Sequence, residues 1–360
     1  MKKKKVYLTL QNGKVFEGYR FGADGEITGE LVFSTGMVGY MENLTDPCNL
    51  GQIVVQTFPL IGNYGAITTD VESEKVWVSA YVVREICDEP SNFRMEETLE
   101  SYLKREGVIG ISGVDTRQIT KILREEGAMN ACVSSKPLTD AEVKAIGAFK
   151  IENAVKSVVK SEKGYFAAEN AKGTVALWNM GAKNSTIANL NAQGFNVISF
   201  SAYALADEIL GAGADGVVIS DGPGDPMENT EIVAQIQKVL GKLPVFGIGL
   251  GHQLVALATG AKTQKQKYGH RGGNQPVKCI SCGKVYISSQ NHGYEVVNDS
   301  VQQGKISFVN VNDGSCEGID YEELNAFTVQ FTPECCGIGG VENPLYKKFF
   351  TLMKKENKNA

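Results

Sequence analysis

Pro244-Val245-Phe246-Gly247-Ile248-Gly249-Leu250-Gly251-His252-Gln253-Leu254-Val255-Ala256-Leu257-Ala258-Thr259-Gly260 opens as a short apolar strand, passes through a glycine-dense turn and continues as an apolar helix over 254–258, stopped by Gly260. Strand, sharp turn and helix make the layout of a nucleophile elbow, Gly-x-nucleophile-x-Gly. Gly247 and Gly251 are the outer glycines, whose lack of a side chain lets strand and helix approach closely. The middle position carries an attacking oxygen or sulfur on a strained backbone. Here that position is Gly249, which has no side chain at all. The pedestal is present and the nucleophile is missing.

Outward from the elbow, strands alternate with helices. Strands are predicted over 174–178, 196–200 and 216–220, and helices over 185–192 and 229–240. That alternation predicts an α/β doubly wound, mostly parallel sheet over residues 172–356. Ligands of such sheets bind beyond the carboxyl ends of the strands. The turns at 221–226, 247–253 and 290–294, and the segment 327–334 after the last strand, should therefore gather on one rim. Residues 151–171 are polar and lysine-rich, as a linker or covering strand would be. Residues 1–150 read as a β-rich α+β domain. Its strands are predicted over 6–10, 14–18, 30–33 and 76–84. Its helices are predicted over 95–106, 116–126 with Asp115 as N-cap, and 140–148 with Thr139 as N-cap.

The bulk numbers agree with two soluble domains. A chain of 360 residues exceeds one ordinary core. A net charge of −5 gives no reason to expect nucleic acid or an anionic membrane as partner. The four lysines at the start precede an apolar run too short for an export signal, and His252 and Gln253 interrupt the best candidate span over 243–261. A cytoplasmic protein is expected, with its eight cysteines as thiols. Cys279-Ile280-Ser281-Cys282 has the spacing of half a zinc site, but no second ligand pair accompanies it, so a plain hairpin turn and no metal are expected.

Taken together, the rim stretches resemble the class I glutamine amidotransferase domain. That family cuts the side-chain amide of glutamine with a Cys-His-Glu triad and hands ammonia to a partner site. The front half carries Gly39-Tyr40, Leu44-Thr45-Asp46-Pro47, Gly51-Gln52-Ile53-Val54, Ile61-Gly62-Asn63, Ser91-Asn92-Phe93-Arg94, Asp115-Thr116-Arg117 and Leu123-Arg124-Glu125-Glu126-Gly127. With Gly269-His270-Arg271-Gly272-Gly273-Asn274 and Gln290-Asn291-His292-Gly293-Tyr294, the combination resembles the small subunit of carbamoyl phosphate synthetase over nearly the whole chain.

The resemblance implies a triad at positions 249, 332 and 334. Gly249 and Thr332 stand where it expects cysteine and histidine, and only Glu334 keeps the expected residue. It implies a glutamine pocket made by Gly36, Gly222, Gly224, Leu250, Gln253, Asn291, Gly293 and Tyr294, with Gly36 replacing a serine. It implies a large synthetase subunit as partner, with ATP and magnesium bound there and no cofactor on this chain. Amide cleavage needs a thiolate, a base and a pair of backbone N–H groups for the oxyanion. Glycine offers no atom to attack, and threonine does not titrate near neutral pH. The expected function is a synthetase small subunit, in arginine or pyrimidine biosynthesis, that has lost its own glutaminase activity and supports a large subunit using free ammonia. Two alternatives stand beside it. One is a working glutaminase with Cys335 or Cys336 paired to His292. The other is a sensor that binds glutamine without cutting it. His252 is expected to cap or pack at its helix start, and His270 to steady a glycine-rich loop.

Overall fold

The computed structural model describes residues 4–159, 163–335 and 343–356. They form two compact units, residues 1–152 with 267–272, and 153–266 with 273–360. The boundary falls at 152/153 rather than after a linker. The segment expected to link the domains instead supplies the second unit with the helix Ala154–Val158 and the strand Gly164–Phe166. Val155 is buried in that unit's core, and Gly164–Phe166 pairs antiparallel with Phe195–Ser201 at a sheet edge. The strand is the covering strand that the sequence offered as an alternative to a linker, and the short helix is the element that the polar composition concealed.

The first unit is built on a closed barrel of seven strands. In order around it they are Lys5–Leu10, Val15–Gly22, Ile109–Ser112, Ala80–Val82, Gln52–Gln56, Ile27–Ser34 and Met129–Ser134, which pairs back to the first. Closure removes the sheet edges that a small β domain would otherwise expose. The first hairpin turns at Asn12-Gly13, where Gly13 has φ +84° and the Asn12 side chain accepts from the Lys14 N–H. Alternate strand residues point to opposite faces. Leu8, Leu31, Ile53, Val55 and Ile111 pack with Ile119, Ile122 and Leu123 of the helix Thr116–Glu126. Val32, Val54 and Tyr81, of the other parity, pack with Leu99, Tyr102 and Leu103 of the helix Leu99–Arg105. The predicted caps hold: Asp115 accepts from the Gln118 N–H, and Thr139 and Glu142 form a capping box. The expected strand over 76–84 shrinks to Ala80–Val82. Trp77 lies before it, with its indole N–H donated to Ser73.

The second unit holds a ten-stranded sheet. Its centre is parallel, in the order Phe195–Ser201, Gly173–Asn179, Gly216–Ile219, Val245–Ile248, Ala326–Val329. Helices cover both faces. Ala176, Trp178, Val217 and Ile219 pack with Ile232, Ile236 and Leu254, while Val175, Leu177, Val218 and Phe246 pack with Leu190, Tyr346 and Phe349. The sheet is less parallel than expected. Cys316–Tyr321 and Lys305–Asn310 extend it antiparallel beyond Ala326–Val329, followed by the long strands Thr263–Cys279 and Val285–Val296. Two stretches read as loops lie in those strands. His270 and its neighbouring glycines sit inside Thr263–Cys279, and residues 290–294 sit inside Val285–Val296. Polar, glycine-rich strands lack the alternation that marks a half-buried strand in sequence. Cys279 and Cys282 fall at the turn between them, where the Gly283 N–H donates to the Cys279 carbonyl. No helix among the described residues is long and apolar enough to cross a membrane.

Candidate functional site

The elbow lies at the carboxyl end of the central strand Val245–Ile248, and the helix Leu250–Ala258 leaves it at once, four residues earlier than predicted. Parallel pairing aligns Ile219 with Gly247 and Ile248 with Val329. The ends of three neighbouring strands thus share the rim. The turn is stitched to both neighbours: the Gly249 N–H donates to the Val329 carbonyl at 2.9 Å, and the Gly251 N–H to the Ser220 carbonyl at 3.1 Å. The outer glycines are obligatory. A Cβ on Gly247 would lie 2.8 Å from the Thr328 methyl, and one on Gly251 would lie 2.3 Å from the Ile219 carbonyl oxygen.

Gly249 sits at φ 55°, ψ −112°, a conformation that residues with side chains adopt only under strain. The strand-turn-helix backbone of an elbow is therefore kept around a residue that has no side chain. The vacated volume is filled by Asp221. A Cβ on Gly249 would fall 2.0 Å from Asp221 Oδ1 and 2.2 Å from its Cγ. That Oδ1 accepts from the Leu250 N–H at 2.9 Å and from the Gly222 N–H at 2.8 Å. In the sequence Asp221 reads only as the start of a rim turn, and its role comes from what it touches in three dimensions.

Thr332 is buried, with its N–H donated to the Ser289 carbonyl, and its hydroxyl accepts from the buried ammonium of Lys183 at 3.0 Å. Lys183 was also missed, because a lysine at a helix start reads as solvated surface. Glu334 accepts from the Tyr346 hydroxyl through Oε1, and its Oε2 is buried without a partner among the described residues.

The pocket residues separate into groups. Gly222, Gly224 and Leu250 lie on the elbow's rim. Gly222 is pressed so close to Met180 that a Cβ would lie 2.4 Å from its carbonyl oxygen, and Gly224 takes φ +90° against Ala154. Gln253 is buried and committed within the protein, its amide N–H groups donated to the Tyr294 carbonyl at 2.8 Å and to Gln330 at 2.9 Å. Asn291, Gly293 and Tyr294 are half-buried on the strand Val285–Val296. Gly36 belongs to the first unit, in the loop after Ile27–Ser34, where its carbonyl accepts from Gln56.

The histidines are committed. His252 is fully buried in its helix, with Nδ1 2.7 Å from the Thr328 hydroxyl, and burial holds its pKa down to about 3. His292 places Nδ1 2.8 Å from the Tyr294 carbonyl and Nε2 2.9 Å from Gln290 Oε1. The Gln290 amide is oriented by donating its N–H to Glu317 at 2.9 Å. Both ring nitrogens of His292 thus lie within hydrogen-bond distance of oxygens of its own strand, which commits the ring to structural contacts. His270 is buried in its strand rather than steadying a loop. Cys336 lies outside the described residues, and Cys335 is described only as the end of the 3-10 turn Pro333–Cys335.

Residues 8–133 match the family described as carbamoyl-phosphate synthase small chain, CPSase domain, and residues 176–352 match glutamine amidotransferase class-I. The chain is 42% identical to the carbamoyl phosphate synthase small chain of Bacillus caldolyticus, over 99% of this chain and 98% of that one. It is 46% identical to the corresponding chain of Clostridium perfringens (strain 13 / Type A), over 92% and 95%. It is 41% identical to the carbamoyl phosphate synthase pyrimidine-specific small chain of Bacillus subtilis (strain 168), over 98% and 97%. With both regions matched in order and relatives aligned nearly end to end, the chain belongs to the carbamoyl phosphate synthase small chain family.

Proposed function

We propose that this chain is the small chain of a carbamoyl phosphate synthase whose own glutamine hydrolysis is lost, and that it serves a large chain supplied with free ammonia. One observation carries the reading: the elbow keeps its strained backbone at Gly249, and a carboxylate from Asp221 lies where a nucleophile's side chain would be. Without sulfur or oxygen at that position no acyl-enzyme forms. Thr332 offers a hydroxyl held by Lys183 in place of an imidazole. Glu334, the remaining member of the triad, has one oxygen on Tyr346 and nothing described on the other.

The role left to the chain is to dock on the large chain and support it. ATP and magnesium would bind on the large chain, with no cofactor on this one, and the complex would work in the cytoplasm, in pyrimidine or arginine synthesis. A relocated dyad is disfavoured because His292 has both ring nitrogens on acceptors. A glutamine sensor is disfavoured because the Gln253 amide is already spent on Tyr294 and Gln330.

The test is co-purification with the cognate large chain, followed by assays with glutamine and with ammonium salts. Carbamoyl phosphate should form from ammonium and not from glutamine. Ammonia release from glutamine by the purified chain, abolished by Cys335→Ser or Cys336→Ser, would establish the relocated dyad instead. Micromolar binding of glutamine without turnover would establish the sensor.

A further inference from the structure

Two backbone N–H groups converging on one oxygen beside a nucleophile position form an oxyanion site, and in an elbow one of them belongs to the residue after the nucleophile. Leu250 is that residue. Its N–H and that of Gly222 converge on a single atom, Asp221 Oδ1, at 2.9 and 2.8 Å. The same carboxylate overlaps the volume of any side chain at position 249. We propose that Asp221 is a resident plug of the oxyanion site: its carboxylate takes the place of a ligand's carbonyl oxygen and closes the elbow to amides and esters. The inference rests on the reading of the elbow as a glutaminase site without a nucleophile, and adds a second, independent block to it.

The physical case has two parts. A carboxylate is the strongest partner a protein can offer to a pair of N–H groups, since charge-assisted bonds outlast neutral ones. A neutral glutamine carbonyl entering the site must displace an anion and leave it half-buried beside the incoming oxygen. If charge then develops on that oxygen, a like charge faces it from a few ångströms away, which opposes the stabilisation that an oxyanion site exists to supply. Leu250 also begins a nine-residue helix, so the positive end of the helix favours an anion at this point. That accounts for the carboxylate staying in place without a ligand. A side chain acting only as a helix cap would give the same two hydrogen bonds, so the test must separate cap from plug.

The experiment uses the full-length chain in two arms. In the first, Asp221→Ala vacates the site, and thermal unfolding is followed with sodium acetate against sodium chloride at equal ionic strength. Acetate should raise the unfolding temperature of the variant by several degrees and leave the parent unchanged. Equal response of both proteins, or none in the variant, overturns the plug. In the second, Gly249→Cys supplies a thiol that reports on access of a carbonyl ligand. A chloroketone analogue of glutamine is added: sulfur bonds to the methylene carbon as the carbon–chlorine bond breaks and chloride leaves. Labelling of the elbow peptide is counted by mass spectrometry, which separates it from the native cysteines. Combining Gly249→Cys with Asp221→Ala should raise the labelling rate, taken relative to that of iodoacetamide at the same thiol, at least tenfold over Gly249→Cys alone, since the carboxylate pushed aside by the new Cβ stays beside the N–H groups of Leu250 and Gly222. Acetate rescue without faster labelling makes Asp221 a cap only and overturns the proposal. If the alanine variant does not fold, Asp221→Asn keeps an acceptor oxygen for both N–H groups. It should speed labelling at least threefold, and an unchanged rate overturns the proposal. Glutamine turnover by the parent chain would defeat the functional reading, while the acetate arm would still decide whether the site is occupied.

Discussion

Tyr346 donates its hydroxyl proton to Glu334 Oε1 at 2.6 Å, while Oε2 of the same carboxylate meets no partner among the described residues. In a working triad the free oxygen would orient an imidazole two residues upstream, and Thr332 there is turned instead toward Lys183. A partly buried carboxylate with one hydrogen bond carries more desolvation cost than a neutral amide in the same place. Glu334→Gln should therefore leave the protein as stable as the parent or more so, by up to about 1 kcal/mol. Tyr346→Phe, which keeps the edge contact of the ring with Phe246, should cost about 1.5–3 kcal/mol. Urea unfolding of both singles and the double gives the coupling. A loss of more than about 2 kcal/mol in Glu334→Gln would mean that Oε2 is satisfied after all.

His252 makes stability depend on pH in a definite direction. Burial holds its folded-state pKa at about 3, below the ordinary value of 6.5. Between those two values the unfolded chain binds a proton that the folded one refuses. The stabilising effect is complete above about pH 6.5 and is lost as pH falls through the window toward 3, by up to about 1.4 kcal/mol per pH unit. Denaturant unfolding at pH 7.0 and pH 4.5 should show this slope. His252→Asn, which keeps a polar group for Thr328, should flatten it while lowering stability at pH 7. An unchanged slope would mean that carboxylates alone set the acid sensitivity.

The legible parts of the chain were those where a local rule has one solution. The helix Thr116–Glu126 was bounded to the residue because Asp115 and Gly127 punctuate an apolar stripe. The elbow was legible because Gly247 and Gly251 permit a contact that nothing larger allows. Barrel closure was not, since it depends on Met129–Ser134 pairing with Lys5–Leu10 across more than a hundred residues, which no local pattern encodes. The polar strands around His270 and His292 were hidden for the same reason, as their partners and not their periodicity make them strands. Within the site, position 249 was visible from the elbow's spacing, and positions 332 and 334 only through the family resemblance. Asp221 and Lys183 were not, because each matters only through what it touches in three dimensions.

Gly249→Ala isolates the backbone strain from the clash. At φ 55°, ψ −112° a Cβ carries a penalty of about 1–3 kcal/mol, and here it also forces the Asp221 carboxylate off its two N–H donors. The expected total loss is at least about 2 kcal/mol. In an Asp221→Ala background only the strain remains, so the same substitution should cost less, with a coupling of about 1 kcal/mol or more between the sites. Chemical denaturation of the four proteins measures it. Strict additivity would mean that Asp221 rotates aside without loss.

Restoring glutamine hydrolysis should require three substitutions and not two. Gly249→Cys supplies the sulfur, but a thiol with an ordinary pKa of about 8.5 is only a few per cent thiolate at neutral pH. It would also lie against the Asp221 carboxylate, which disfavours the thiolate further. Thr332→His supplies the base, placed between Glu334, which favours the protonated ring, and Lys183, whose ammonium disfavours it. Triad members act as a unit, so each single change should yield no turnover above a blank. The pair should yield a trace, because the Asp221 carboxylate, pushed aside by the new Cβ, still lies beside the thiol and the N–H groups of Leu250 and Gly222. Adding Asp221→Ala, which vacates both N–H groups, should raise kcat/KM of the pair by about 10²-fold, the scale of one recovered oxyanion contact. Steady-state ammonia release from the singles, the pair and the triple decides the matter. If the triple binds glutamine and stays silent, the elbow at Gly249 is not an amidotransferase site that has merely lost its reactive groups.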